Sequence, residues 1–289
     1  MLCHTPEASE SFVSMAVRAG HFYDPNDCQG LAHLLEHMLF MGSRHLPKPN
    51  AINGFIEQHG GTINAWTGTE YANYHFSCSG GALAQTLPAF ADMLRQPLFE
   101  EDALTNEIKN IHAEFEFKKK DDLRRLYQIH KETCNPHHPF AKFSVGNSDT
   151  FSQHECAELK HRLKSLHQTY YCALNMRLCI ASPMPTPQLE ALIHQCFGTL
   201  PSGELAPDNW PPLYTENELG IQINIHPLQS AKRMIVTFAL PALQNDYKTK
   251  PLNYISHLIG DEGEGSLLAY LKEKDWALNL IAGSGIEGD

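Results

Sequence analysis

A β-leaning apolar run covers Phe12–Ala19, closed by Gly20 and the turn signal Asp24-Pro25-Asn26-Asp27. Gly30–Met41 is apolar at helical spacing and stops at Gly42-Ser43. A short helix follows over Ala51–His59, ended by Gly60-Gly61, and Thr62–Thr67 and Tyr71–Cys78 read as paired strands. Ala82–Arg95 is helical. Glu100–Cys134 has no Gly or Pro and is rich in Glu, Lys, Leu and Arg, which predicts one or two long helices. Cys134–Asn147 is a punctuated loop, followed by helix Asp149–Tyr170, strand Met176–Ala181 and helix Gln188–Phe197. Pro201–Pro212 holds four Pro in twelve residues and reads as a linker. A second block is expected to contain strands Gly220–His226, Met234–Leu240 and Leu278–Ala282 and helices Pro251–Leu258 and Ser266–Lys274. Alternating helices and strands mixed with hairpin-like pairs predict an α+β fold over a doubly wound sheet.

The chain has 289 residues, 42% hydrophobic and 19% charged, which suits a globular protein with a substantial core. No run of eighteen apolar residues predicts a membrane span. The net charge of -11, with no basic run, argues against nucleic acid or an anionic membrane as partner. Eight Cys without a regular framework read as reduced and mostly buried. The start, Met1-Leu2-Cys3-His4, shows no secretory signal. Both ends read as cut, so the compartment stays open.

Chemistry concentrates on the first helix, in His33-Leu34-Leu35-Glu36-His37. Four residues apart, the two His lie about 40° apart on one face, so both imidazoles can reach one ion, with Glu36 beside them about 60° from His33. Neutral imidazole suits Zn²⁺, and a carboxylate next to an open metal position is what metal-assisted hydrolysis needs. Random placement of 17 His among these residues gives the pattern about 0.07 times. Two polar His and a Glu on so apolar a helix require buried partners or a cleft. Tetrahedral zinc with a water lacks one more protein ligand. Glu107 and Glu114 on the long helix, seven apart and within about 20° of one face, offer it. One carboxylate can bind metal and the other orient a ligand, although acidic residues on a charged helix are more commonly just solvated.

The extended run Gly30–Gly42 resembles the pitrilysin / insulin-degrading enzyme family of inverted-motif (HxxEH) zinc metallopeptidases. The resemblance continues through Gly61–Thr67, Asn106-Glu107 to Glu114, Asn135–Phe143, His257–Gly260 and Gly265–Leu268. It implies an α+β fold in which layered helices pack on a mixed, mainly antiparallel sheet of the pitrilysin/LuxS-like metallopeptidase type, with one full domain and part of a second, related one. It implies His33, His37 and Glu114 as ligands of one Zn²⁺ per chain and Glu36 as general base. Glu107, counted with Glu36 in the catalytic set, matches the carboxylate that orients a ligand. Asn64, Ala65 and Trp66 match the edge strand that holds a peptide substrate, and an exposed strand edge suits an extended peptide physically.

The boundaries expected are a catalytic zinc-binding domain at 1–207, a linker at 208–217 and a partial second domain without metal at 218–289. A weak internal echo supports this: Met15–Gly20 followed by His33–His37 is mirrored by Val236–Pro241 followed by Asn253–His257, where Asn253 and Ser256 replace His33 and Glu36. Family proteases are long chains of four related domains, whose distal half supplies an Arg and a Tyr that this chain has nowhere to provide. The expected partner is therefore a C-terminal half of the same polypeptide, and an uncovered edge favours self-association without it. Localisation would be periplasmic for a bacterial pitrilysin-like protein and otherwise cytoplasmic. The alternatives to a zinc endopeptidase are a noncatalytic zinc-binding or structural member and a half-enzyme that binds peptide but needs the remainder for turnover. A structural role would not require Glu36.

Other constellations carry less. His130, Cys134, His137 and His138 cluster around a helix-breaking Asn135-Pro136 and read as solvated loop histidines. His154 and His161 read as a solvated helix face. Gly263–Ser266 lacks the lysine of a phosphate loop. Trp66, Trp210 and Trp276 read as packing residues.

Overall fold

A computed structural model describes residues 1–207, 209–229, 232–241, 243 and 246–283. It divides into two compact units, Met1–Lys232 and Arg233–Asp289.

The first unit is built on five strands: β1 (Leu2–His4), β2 (Glu10–Val17), β3 (Ile63–Thr67), β4 (Ala72–Ser79) and β5 (Met176–Ser182), in the order β1-β5-β2-β4-β3. Three pairs are antiparallel and β1–β5 is parallel, so the sheet is mixed and mainly antiparallel. Period-two alternation sorts the faces. Val13, Met15 and Val17 of β2 and Ala72, Tyr74, Phe76 and Cys78 of β4 point into the core, and Phe12 faces outward. Strand β1 was not expected, because three residues carry too little pattern to read; its register against β5, Leu2 opposite Ile180, is a tertiary pairing.

The helices of this unit are α1 (Leu31–Leu39), α2 (Ala51–Gln58), α3 (Leu83–Arg95), α4 (Glu101–Lys118), α5 (Asp122–Glu132), α6 (Ser148–Phe151), α7 (Cys156–Tyr170) and α8 (Thr186–Phe197), and all but α5 contribute side chains to the core. Leu31, Leu34, Leu35 and Met38 of α1 meet Leu104 and Ile111 of α4 and Leu159 and Leu163 of α7 in one cluster. Each such side chain contributes about 1.5–3 kcal/mol by leaving water. The long Glu100–Cys134 stretch forms two helices, separated where Asp121 accepts from Arg124 N (2.9 Å) and caps α5. The expected helix over Asp149–Tyr170 is also split: a capping box of Asn147 and Thr150 starts a short turn at Ser148–Phe151, and α7 begins anew at Cys156. The eight cysteines are free, five of them buried.

The Pro-rich stretch lies along this unit. Asn135 donates to Pro212 O (2.7 Å), Ala206 N donates to Asn175 Oδ1 (2.8 Å), and Trp210 packs edge-on against Phe22. Helices α9 (Pro251–Ile259) and α10 (Leu267–Glu273) of the second unit form where expected. The strands expected over Gly220–His226, Met234–Leu240 and Leu278–Ala282 do not form among the described residues. A strand needs a ladder partner and an apolar floor. Here Met234 is 86% and Phe238 76% exposed, so residues with β propensity have no such floor and form no strand. No helix among the described residues is long and apolar enough to cross a membrane.

Candidate metal centre

Helix α1 is apolar except for one stripe. Leu31, Ala32, Leu34, Leu35, Met38 and Leu39 are buried, which leaves His33, Glu36 and His37 on the remaining face. Its N-terminus is held by buried Asp24, whose carboxylate accepts from Gly30 N (2.8 Å) and Ala32 N (2.7 Å). Gly30 has φ +91°, and a Cβ there would fall 2.4 Å from Gly146 Cα. Only glycine allows that approach, which brings the Val145 carbonyl to the first turn of the helix.

Each imidazole is tied at Nδ1 and so presents Nε2. His33 Nδ1 donates to Val145 O (2.7 Å), and His37 Nδ1 donates to Glu107 Oε2 (2.9 Å). Helix α4 crosses α1 with Leu104, Glu107, Ile111 and Glu114 along one stripe. Glu107, 6% exposed, also accepts from Asn110 Nδ2 (2.9 Å) and touches His37 at the ring nitrogen away from the other donors. Glu114 Oε2 lies 3.7 Å from both His33 Nε2 and His37 Nε2, while its Oε1 pairs with Lys118. These three residues alone among the described ones offer ligand atoms all within 4.8 Å of one another.

Two imidazole nitrogens and one carboxylate oxygen are the donor set of a catalytic zinc. Bonds of about 2.0–2.1 Å at tetrahedral angles put donors about 3.4 Å apart, so edges of 3.7 Å fit such an ion after a small contraction. They are too long for hydrogen bonds among the three. Burial and the neighbouring His37 hold His33 below its ordinary pKa, favouring the neutral ligand form. Burial also disfavours charge on His37, but its bond to Glu107 and the carboxylates of Glu36, Glu107 and Glu114 outweigh that and raise it. Burial would raise Glu114, yet Lys118, His33 and His37 together hold it below the usual carboxylate range.

Glu36 stands beside this triangle, its Oε2 accepting from Thr67 Oγ1 at the end of β3. Strand β3 is the sheet edge and, among the described residues, pairs only with β4. Asn64 and Trp66 are exposed, and Ala65 N is capped by Asn64 Oδ1 (2.9 Å). All eight residues singled out from the sequence thus lie on α1, α4 and the adjoining edge strand.

Several residues escaped the sequence reading: Thr67, the Val145 carbonyl, Lys118 and Asp24. Asp24 stood in view as a turn signal, and Thr67 inside the Gly61–Thr67 motif. The expectation of solvated loop histidines is corrected at His130 and His138, while His137 is exposed as expected. His138 and Cys134 are 2% and 3% exposed, because His138 Nδ1 accepts from Phe140 N (3.0 Å) in a packed turn, and His130 stacks on Tyr214. Trp66 and Trp276, 51% and 71% exposed, are not the packing residues expected; Trp210 is.

The His-His-Glu group and the α+β fold are compatible with an inverted-motif (HxxEH) metallopeptidase domain. The insulinase (peptidase family M16) pattern matches residues 1–141, and the peptidase M16 inactive-domain pattern matches residues 160–289. The chain belongs to peptidase family M16. It is 34% identical over 287 residues to the insulin-degrading enzyme of Bos taurus and 33% identical over 287 residues to the A-factor-processing enzyme of Saccharomyces cerevisiae, covering 98% of this chain and 28% of each relative. It is 33% identical to nardilysin of Rattus norvegicus, over 96% of this chain and 24% of that protein. A crystal structure of pitrilysin superposes with TM-score 0.85 at 29% identity, over 98% of this chain and 30% of that one. The chain therefore spans less than a third of the length of these relatives.

Proposed function

We propose that the chain is the zinc-holding part of a metalloendopeptidase that hydrolyses peptide bonds in oligopeptides or small proteins. The observation that carries the reading is the convergence of His33 Nε2, His37 Nε2 and Glu114 Oε2 beside a carboxylate, Glu36, that is not one of the three. One Zn²⁺ per chain, held by those residues, would supply the Lewis acid that polarises the scissile carbonyl and lowers the pKa of water toward about 7. Glu36 acts as general base and passes the proton to the leaving amine. Glu107 fixes the ring of His37 and so the direction of its Nε2. An extended peptide adds to the free edge of β3, where it takes the Ala65 N–H from Asn64 and lies against exposed Trp66.

In this reading the zinc domain is 1–207, joined through 208–217 to a related domain at 218–289 that carries no metal. Because relatives are more than three times as long, the working enzyme draws on further polypeptide that closes over substrate and excludes water. The second unit, with Met234, Val236 and Phe238 exposed, self-associates when that polypeptide is absent. The test is elemental analysis of the purified chain and its His37→Ala variant. One zinc per parent chain and near-complete loss in the variant are expected; undiminished zinc in His37→Ala would refute the site.

A further inference from the structure

On helix α1 three potential ligands share one face, since His33 and Glu36 are three apart and His37 follows. A carboxylate and an imidazole at that spacing can ligate the same metal centre, as happens in carboxylate-bridged bundle sites. Glu36 nevertheless stays outside the group of donors that lie within 4.8 Å of one another. The contact holding it is the hydrogen bond from Thr67 Oγ1 to Glu36 Oε2.

Thr67 is itself anchored. The tip of the β3–β4 hairpin is bonded to Gly20–Phe22 by Gly20 N to Glu70 O (2.9 Å), His21 N to Gly68 O (3.1 Å) and Phe22 N to Thr69 O (2.9 Å). The His21 ring adds Nδ1–H to Gly68 O (3.0 Å). A Cβ on Gly20 would lie 2.2 Å from Thr69 O, so the two backbones meet only because Gly20 has none. Asp24, two residues beyond Phe22, caps α1. One short segment thus fixes both the strand that carries Thr67 and the helix that carries Glu36.

We propose that Thr67 is a positioning residue that tethers Glu36 away from the metal, keeping the fourth coordination position open and the carboxylate free as a base. This rests on the metal site proposed above. Without the hydroxyl, Glu36 turns inward and becomes a fourth ligand, which closes the site as in structural zinc centres.

The test is a double-mutant cycle on zinc affinity, read by competition with a chromophoric chelator and independent of turnover. Thr67→Val, which keeps shape and β-branching, should bind zinc about tenfold more tightly than the parent. Thr67→Ser, which keeps the hydroxyl, should match the parent within about twofold. In a Glu36→Ala background the gain from Thr67→Val should vanish, which a merely structural effect of the substitution would not do. Cobalt(II) absorption should report an added ligand in Thr67→Val alone. Unchanged or weakened affinity in Thr67→Val, or an equal gain with and without Glu36, overturns the proposal. A parent chain that binds no zinc overturns the metal reading itself, and this one with it.

Discussion

Removing the Glu107 carboxylate tests how far the metal centre depends on a residue outside the donor triangle. Glu107 accepts one bond from His37 Nδ1 and one from Asn110 Nδ2, both at 2.9 Å. Asn110 is exposed, so water replaces its lost partner at little cost. The His37 side chain is only 25% exposed, so most of the penalty falls there. A buried N–H left without an acceptor costs about 1–3 kcal/mol. The ring also becomes free to rotate and to exchange tautomers, which removes the preset direction of Nε2. Loss of such an orienting partner lowers metal affinity by about 10–100-fold, or about 1.4–2.7 kcal/mol. We therefore expect Glu107→Ala to weaken zinc by that factor and Glu107→Gln, which keeps an acceptor but not the charge, by less. Chelator competition measures the affinity, and thermal melting of the metal-free proteins separates it from stability. Zinc affinity in Glu107→Ala within about twofold of the parent would refute the argument that the carboxylate orients the ligand.

Glu36→Gln should retain zinc and lose hydrolysis, since an amide takes no proton at neutral pH; wild-type cleavage of a quenched peptide would remove Glu36 from the base role. At equal zinc occupancy, this chain should cleave such a peptide at least about 10²-fold more slowly than a longer form that supplies further transition-state donors; equal kcat/KM would show it to be self-sufficient. For pH, burial first and then the charges of Lys131 and Lys142 lower the His21 pKa to about 3. The unfolded chain binds that proton below about 6.5, so stability should fall as pH drops from 6.5 toward 3, by up to about 1.4 kcal/mol per unit. Asp24 works the other way: burial pushes it up to about 7 from 3.8, so the folded protein holds its proton more tightly and gains stability as pH falls through that window. The two slopes oppose each other between pH 4 and 6.5, and His21→Gln should become more stable on acidification across that range; urea midpoints identical in pH response to the parent would sink this account.

Much of the centre was legible because it depends on local periodicity. His33, Glu36 and His37 lie on one stripe of a helix whose other faces are apolar, and 3.6-residue geometry alone aligns them. Glu107 and Glu114 share a face for the same reason, with Ile111 buried between them. Thr67 and the Val145 carbonyl were not legible as parts of a site, since nothing in their spacing links them to residues 31 and 112 positions away. The buried His138 read as solvated because polar residues beside Asn-Pro ordinarily are.

The strands of the second unit show the complementary limit. Residues 234–240 carry β-forming side chains, yet an isolated strand cannot satisfy its own backbone and forms no ladder here. Helices α9 and α10 lie in the same unit and do form, because their hydrogen bonds close within the segment. The sequence by itself therefore determined the helices, their polar stripes and the chemical character of the donors, all of which depend on neighbours within a few turns. Tertiary structure alone decided which carboxylate faces the two imidazoles, which one orients His37, and what restrains Glu36. Those choices depend on how α1 crosses α4 and where the β3 edge ends, which are contacts between segments that local spacing does not encode.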